Sequence, residues 1–487
     1  MPRWYEPSAV EAVKKIKNQE LETEEYIVSL LDRMEKLDPK INCFVTPMRS
    51  EAVKKAREID AKVRRKEKLG LLAGVAVAVK DNMCTQGVRT TCSSRMLRDF
   101  VPPYDATVVK KLLSEDAVVI GKTNMDEFAM GSTTETSYFG PTHNPWNLGK
   151  VPGGSSGGSA ATVIAQEATI ALGSDTGGSV RCPASYCSTV GLKPTYGLVS
   201  RYGLISYANS LEQIGPLARN VRDCALLLQV IGGHDDLDST SANLPAKDYV
   251  SMLGDSVEGI RIGLPREFFG EGVQEQVSKT VWRAVHKFES LGAVYEEVSL
   301  PSMRYALAAY YIVAMSEASS NLARYDGLRY GYRNELDEGD WSIVYAKNRR
   351  IGFGTEVRRR IILGTYALSA GYYDQYYLKA LRVRTVIRRD YGKALRQFDV
   401  LIGPTMPVLP FDIGEKIEDP LTLYMCDILT VPANLTGYPA ISVPCGFANG
   451  LPVGLQIMGK PFDESTVLNA AYTFELNTPY HEKRPFL

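Results

Sequence analysis

Apolar and polar positions recur along this chain with two different periods. Ile27, Leu30, Leu31 and Met34 follow the spacing of a helix with one buried face, and Ser8 with Glu11 has the spacing of a capping box that opens an earlier helix. At LLAGVAVAVKDN the period drops to two. Val75, Val77 and Val79 fall on one face, and Ala76, Ala78 and Lys80 on the other. This predicts a strand with a bulky face and a small-residue face, with the lysine on the small one. AVVIG at 117–121 and TIALGSD at 169–175 read as further buried strands, with a short helix over 159–166 between them. GIRIGLP, a helical stretch carrying Val277, Val281, Ala284, Phe288 and Leu291, and AVYEEVSL form a strand–helix–strand unit. Residues 300–396 read as mostly helical and are rich in tyrosine and arginine, after which DVLIGPT, AISVPCG and PVGLQIMGK return to strands. Length alone would allow about three domains. No repeat, low-complexity segment or linker interrupts the pattern, so one large α/β unit over residues 1–487 is predicted.

Composition narrows the classes. Hydrophobic residues make up 45% of the 487 and charged ones 23%, ordinary for a globular protein. Lysine plus arginine equals aspartate plus glutamate at 56 each, so the basic excess of a chain that grips nucleic acid by itself is missing. There is no apolar leader at MPRWYEPSAVEAVKK and no run long enough for a membrane span. The eight cysteines are scattered; neither Cys182 with Cys187 nor Cys84 with Cys92 has metal-knuckle spacing. A reduced, cytoplasmic chain is expected.

Two glycine-rich clusters hold the candidate chemistry. VPGGSSGGSAATV lacks the Gly-Lys-Ser/Thr ending of a phosphate loop. Gly154-Ser155-Ser156-Gly157-Gly158 fits the Gly-x-Ser-x-Gly nucleophile elbow, but that triad needs a histidine base. The chain has only His143, His234, His286 and His481, and those after the elbow lie in polar contexts such as Asp235–Asp236 and the C-terminal tail. A plain turn where a helix packs tightly on a sheet remains open. The second cluster, GSDTGGSVRCPAS, has one Asp-Thr-Gly copy where an aspartic protease needs two. Ser179 follows two glycines whose backbone amides could converge on an oxyanion, or the stretch is a simple capped turn. Without histidine, a buried lysine can activate a serine, because desolvation favours its neutral amine. Lys80, enclosed by alanines, suits that role better than a strand-end lysine in solvent would.

Taken together, VAVKDN around Lys80, GGSSGGSAA around Ser155 and GSDTGGSVRCPAS around Ser179 resemble the amidase signature family. The resemblance covers roughly residues 5–485, with a signature core at about 70–220 and a helical substrate-side region at about 300–396. It implies a central mixed sheet covered by helices on both faces. It also implies a Ser–cisSer–Lys triad: Ser179 as nucleophile, Ser155 as proton relay beside an unusual peptide geometry, and Lys80 as general base. Thr176, Gly177 and Gly178, with Ser179, would supply the oxyanion hole. Cys182 and Ser188 depart from the glutamine and glycine usual at those positions, which bears on local packing only.

Further segments, among them MDEFAMGSTTETSYFGPTHNPW and RRRIILGTYALSAGYYDQYY, resemble the glutaminase subunits of tRNA-dependent amidotransferases within that family. By that resemblance Arg359 binds a glutamine carboxylate, Asp427 its ammonium, and Tyr310, Met130 and Gly131 lie beside the substrate. Two of the three arginines at 358–360 are expected to form a solvated helix face instead. No cofactor or metal is expected in this chain. ATP and Mg²⁺ would belong to a partner subunit that receives ammonia and handles misacylated tRNA, within a heterotrimer of this chain with subunits B and C. A stand-alone carboxamide hydrolase and a catalytically idle scaffold are the alternatives.

Overall fold

The alternating stretch around Lys80 forms a strand because both of its faces find an apolar layer. In a computed structural model, which describes residues 4–334, 340–416 and 419–487, Val75, Val77 and Val79 enter one core cluster, while Ala76 and Ala78 enter another on the opposite side. The described strands are β1 (Phe44–Pro47), β2 (Ala76–Lys80), β3 (Val118–Thr123), β4 (Ile170–Asp175), β5 (Val190–Lys193), β6 (Gln213–Ala218), β7 (Arg261–Pro265), β8 (Val294–Val298), β9 (Val400–Pro404), β10 (Ala440–Ala448) and β11 (Leu451–Met458). They make one 11-stranded sheet in the order β1-β3-β2-β4-β6-β5-β10-β11-β9-β7-β8. The sheet is mixed: β2 runs parallel to β3 and β4, whereas β6 is antiparallel to β4.

Helices cover both faces. Val221–Ile231, Glu275–Ser290 and Glu464–Leu476 pack on the valine side, Thr23–Ile41, Arg49–Arg64 and Gly157–Ile164 on the alanine side, and Ala9–Lys17 contributes to both clusters. The Ser8–Glu11 capping box forms as predicted, with both reciprocal bonds present. The helix expected at 159–166 starts two residues earlier, at Gly157. The 300–396 region contributes Ala306–Leu322, Trp341–Gly352, Thr355–Leu368 and Lys379–Gln397, packed on the sheet through Leu401, Ala440 and Met458. No described helix is long and apolar enough to cross a membrane.

Three strands lie outside the sequence prediction. β1 and β5 have only four residues each, and β6 carries Gly215 and Pro216 in its middle. Proline is tolerated there because β5 pairs with β6 only at Leu217 and Ala218, leaving the Pro216 edge without that ladder partner.

What positions the site is strand polarity. Lys80 ends β2 and Asp175 ends β4, two adjacent parallel strands, so both point out of the same edge of the sheet. The glycine-rich turn before Gly157 passes over that edge. Val77 pairs with Ile170 and Val79 with Leu172, which locks the two strand ends in register.

The helical layer is packed to backbone contact. A Cβ at Gly364 would come within 1.9 Å of the Met315 carbonyl oxygen on the neighbouring helix Ala306–Leu322. Gly364→Ala must therefore push two helices apart. We expect a loss of about 1–3 kcal/mol, read as a lowered midpoint of thermal or denaturant unfolding.

Candidate active site

Lys80 is fully buried, and its amine meets only polar atoms of the two glycine-rich clusters and their strand. Nζ lies 2.8 Å from Ser155 Oγ, 2.9 Å from Ser156 Oγ, 2.9 Å from Ser174 Oγ and 3.2 Å from the Ser174 carbonyl. Burial disfavours the ammonium form and lowers its pKa to about 7, although the Asp126 and Asp175 carboxylates pull the other way. Ser156 donates to the Ser174 carbonyl at 3.2 Å, and Asn82 Nδ2 donates to Ser174 Oγ at 2.9 Å. Ser156 thus spends its proton on that carbonyl, whereas among the described residues Ser155 Oγ has one hydrogen bond, to the lysine amine.

The Gly154–Ser155 peptide bond is cis. Glycine at 154 is demanded by close approach: a Cβ there would sit 2.1 Å from Asp126 Oδ2. The turn is tied to Ser179, whose carbonyl accepts the Ser156 N–H at 3.1 Å. Ser179 is 7% exposed while Ser155 and Lys80 are 0% exposed, so it is the member of the trio that an incoming molecule can reach.

Asp175 shapes the loop before Ser179. Burial would raise its pKa, but the Arg181 guanidinium outweighs this, with bonds at 2.9 and 3.0 Å, and Asn434 adds another at 2.9 Å, so the carboxylate stays ionised well below the usual range. It accepts the Gly178 N–H at 2.9 Å and the Val180 N–H at 3.1 Å. Gly178 is thus turned inward, and its amide is not available to an oxyanion in this arrangement. Among the described residues the amides of Thr176, Gly177 and Ser179 find no acceptor, so of the expected set only Gly178 is claimed elsewhere. Thr176 is 1% exposed.

Asp427, 7% exposed, faces the same loop from the segment 427–434. Ser132 Oγ donates to its two carboxylate oxygens at 2.8 and 3.0 Å, and Tyr311 Oη donates at 2.7 Å. Burial pushes its pKa up to about 6 against those hydrogen bonds. Tyr310 packs on the nucleophile loop, where a Cβ at Gly177 would meet its hydroxyl at 2.4 Å. Met130 is buried in the same apolar cluster as Tyr310, and Gly131 packs on Asp126.

The three arginines divide. Arg360 is 3% exposed, bonded to Glu356 and Tyr207 at 2.8 Å each and seated among the rings of Tyr207, Tyr311 and Tyr424. Arg358 and Arg359 are part-exposed, so the solvated face expected of Arg358 and Arg360 holds only for Arg358; Arg360 is drawn inward by Glu356 and three tyrosine rings. Arg359 bonds to the other oxygen of Glu356, and Glu356 accepts from Tyr424 at 2.6 Å. Tyr424 in turn stacks on Tyr311 at 4.2 Å. A chain of contacts through Glu356, Tyr424 and Tyr311 thus links Arg359 to Asp427, and the buried Arg360 charge acts on Asp427 directly. Ser132, Tyr311, Tyr424 and Glu356 were not singled out from sequence.

Three of the four histidines are engaged elsewhere, and His481 lies in the C-terminal short helix Tyr480–Glu482. His143 meets the Leu148 carbonyl, His234 the Ala242 carbonyl and Asp236, and His286 meets Glu289. Ser188 adopts φ 59°, the left-handed region that explains why glycine is usual there, and Cys182 is buried against Gly153.

Sheet and site together define an amidase-type hydrolase. The chain belongs to the Amidase family, whose model matches residues 25–468. Over its full length it is similar to one branch of it. It is 59% identical over 485 residues to the glutamyl-tRNA(Gln) amidotransferase A subunit of Methanosarcina barkeri (strain Fusaro / DSM 804), covering 100% of this chain and 99% of that one. The Moorella thermoacetica protein of the same name is 57% identical over 483 residues, covering 99% of each. The crystal structure of the corresponding glutamyl-tRNA(Gln) amidotransferase protein of Thermotoga maritima superposes with a TM-score of 0.81 at 44% identity, covering 98% of this chain and 96% of that one. A bacterial aryl acylamidase of the amidase signature family gives 0.86 at 28% identity, covering 99% of each.

A lysine poised near neutrality has a kinetic signature. Below about 7 it is protonated and cannot take a proton; above, it can, so kcat/KM for amide cleavage rises through about 7 and levels off. Asp427 must be ionised to hold a cation, which steepens the fall below about 6. Lys80→Ala should lose about 10²–10⁴-fold and the rise near 7 with it. A mutant keeping both would rule out the lysine as base.

Proposed function

We propose that this chain is the glutaminase subunit of a tRNA-dependent amidotransferase. The observation that carries the reading is the buried Lys80–Ser155 contact at 2.8 Å in a chain that matches amidotransferase relatives from end to end. In this reading Ser179 attacks the side-chain amide carbon of glutamine. Its proton passes through Ser155 to Lys80, and the carbonyl oxygen, now negative, is met by the amides of Gly177 and Ser179. The C–N bond then breaks, Lys80 returns the proton through Ser155 to the leaving nitrogen, and ammonia departs. Water attacks the acyl-enzyme by the same route and releases glutamate.

Two poles select the substrate. Asp427 takes the α-ammonium, oriented by Ser132 and Tyr311, and Arg359 takes the α-carboxylate with a planar fork. Tyr310, Met130 and Gly131 wall the intervening space. The ammonia would serve subunits B and C in the cytoplasm, converting Glu-tRNA(Gln) and, where the host requires it, Asp-tRNA(Asn). ATP and Mg²⁺ would act on the partner subunit, as the resemblance implies; the glycine-rich turns here lack the Gly-Lys-Ser/Thr ending of a phosphate loop.

A stand-alone carboxamide hydrolase is the second reading, favoured by the 0.86 superposition on an aryl acylamidase. Recognition of the substrate backbone separates the two. Arg359→Lys keeps charge and loses the bidentate geometry, so it should raise KM for glutamine sharply while leaving ammonia-dependent amidation by the assembled complex intact. Loss of both activities would assign Arg359 to folding or assembly.

Coupling gives the broader test. Ammonia protonates readily in water, so release should depend on the subunit that consumes it. Glutamate release is measured for the chain alone, for the complex, and for the complex with ATP and misacylated tRNA. Each step should raise the rate within about 5–150-fold. Equal rates in all three would establish the stand-alone hydrolase.

A further inference from the structure

Behind the helix that follows Ser155 lies a second cluster of ionisable groups, which the amide chemistry does not use. Asp38 lies near the end of the long helix Thr23–Ile41, Cys43 precedes β1, and Glu167 sits between Gly157–Ile164 and β4. One ligand atom from each, the thiol sulfur and a carboxylate oxygen from both acids, lies within 4.8 Å of the other two. Cys43 and Glu167 are 0% exposed. Among the described residues this is the one such group of three.

Glu167 is the anomaly. Both of its carboxylate oxygens are buried without a hydrogen-bond partner of ordinary geometry, and so is the Thr162 hydroxyl nearby. A carboxyl group withdrawn from water needs a good donor or a cation, and this one has the Cys43 thiol and Thr162 hydroxyl only at the margin of reach. Arg33, whose Nε donates to the Ala165 carbonyl at 2.6 Å, and the Cys187 thiol complete the surrounding ionisable groups. Asp38 by contrast is already held, accepting the Cys43 N–H at 2.5 Å, so its remaining valence is oriented rather than loose.

We propose that Asp38, Cys43 and Glu167 form a structural site for a zinc-type divalent cation. Sulfur in the donor set argues against Mg²⁺ or Ca²⁺, which take oxygen ligands in larger number, and favours a borderline-soft ion with tetrahedral geometry. Zinc bonds of about 2.0–2.3 Å at tetrahedral angles place donor atoms roughly 3.4–3.6 Å apart, so the three side chains need close by about an ångström. Binding releases the Cys43 thiol proton and the Glu167 carboxyl proton to solvent and forms one metal–sulfur and two metal–oxygen bonds, with water in the fourth position. Thr162 would then donate to the ligating Glu167, as an outer partner should. Asp38 also lines a cleft of about 620 Å³ with Pro39, Asn42 and His143, which brings solvent to one side of the group. Because Glu167 follows closely on the helix that begins after the Ser155–Ser156 turn, the ion would pin that helix to the N-terminal layer.

The test is a cobalt titration of the chelator-treated, full-length chain near neutral pH. One Co²⁺ per chain should bind with a sulfur-to-cobalt charge-transfer band, be displaced by Zn²⁺, and raise the unfolding temperature in a concentration-dependent way. Cys43→Ala should abolish the band, and Glu167→Gln, which keeps the shape of the side chain, should weaken binding by at least about 10-fold. If Glu167→Gln does not fold, Cys43→Ala decides, since alanine fits a small buried position. No band in the parent chain, a band that survives Cys43→Ala, or unchanged affinity in a folded Glu167→Gln variant would each overturn the site. None of these readouts depends on amide hydrolysis, so they stand apart from the glutaminase reading.

Discussion

A lysine amine sealed from water is the constraint on which the rest of this site depends. Moving its pKa from 10.5 to about 7 corresponds to a preference for the neutral form on the order of 5 kcal/mol relative to water. That preference exists only while Lys80 stays buried, with alanines on its face of β2 and Ser155, Ser156 and Ser174 around its amine. The carboxylates of Asp126 and Asp175 act in the opposite sense, keeping the amine basic enough to take a proton at all. A base near neutrality emerges from that balance. Either influence alone would leave the lysine unsuited to the task, too acidic or permanently charged.

Asp126 and Asp175 are also the mechanical ties of the site. Asp126 accepts the Thr134 N–H at 2.8 Å and the Thr136 hydroxyl at 2.8 Å and packs directly on Gly154, so one side chain joins the turn carrying Ser155 to the loop carrying Ser132. Ser132 then reaches Asp427. On the other side, Thr430 Oγ1 donates to the Gly177 carbonyl at 2.6 Å, and Asn434 Nδ2 donates to Asp175. The segment 427–434 therefore touches both the substrate's expected ammonium and the loop that must present amides to an oxyanion. Binding and chemistry share a wall.

The parts of this arrangement that were legible in the sequence are those with a local signature. Alternation placed Lys80 on the small-residue face, and glycine density marked Ser155 and Ser179 as positions of close backbone approach. What escaped was set by tertiary contact. Tyr311 and Tyr424 look like two more tyrosines in a tyrosine-rich chain until stacking at 4.2 Å brings one to Asp427 and the other to Glu356. Ser132 is one serine among many, and only the fold carries it to a residue nearly three hundred positions away. Gly178 follows the expected motif, yet its amide is claimed by Asp175, a competition that no spacing reveals. β5 and β6 were missed because four residues, or a strand broken by Gly-Pro, show no period to read.

The division between legible and hidden residues follows a division of labour. Lys80, Ser155 and Ser179 lie on the edge of adjacent parallel strands and on turns tied to them, a framework that the aryl acylamidase shares at 28% identity. The residues that would grip a glutamine backbone lie outside that framework, Arg359 on the helix Thr355–Leu368 and Asp427 beyond β9. They are linked to each other through Glu356, Tyr424 and Tyr311, and Asp427 is tied to the triad loops through Ser132 and the 430–434 segment. Such a layout lets the helical layer change what is bound while the sheet edge keeps how it is cleaved. It also fits a chain of zero net charge, for which the proposed selection rests on one buried carboxylate and one arginine rather than on a basic surface.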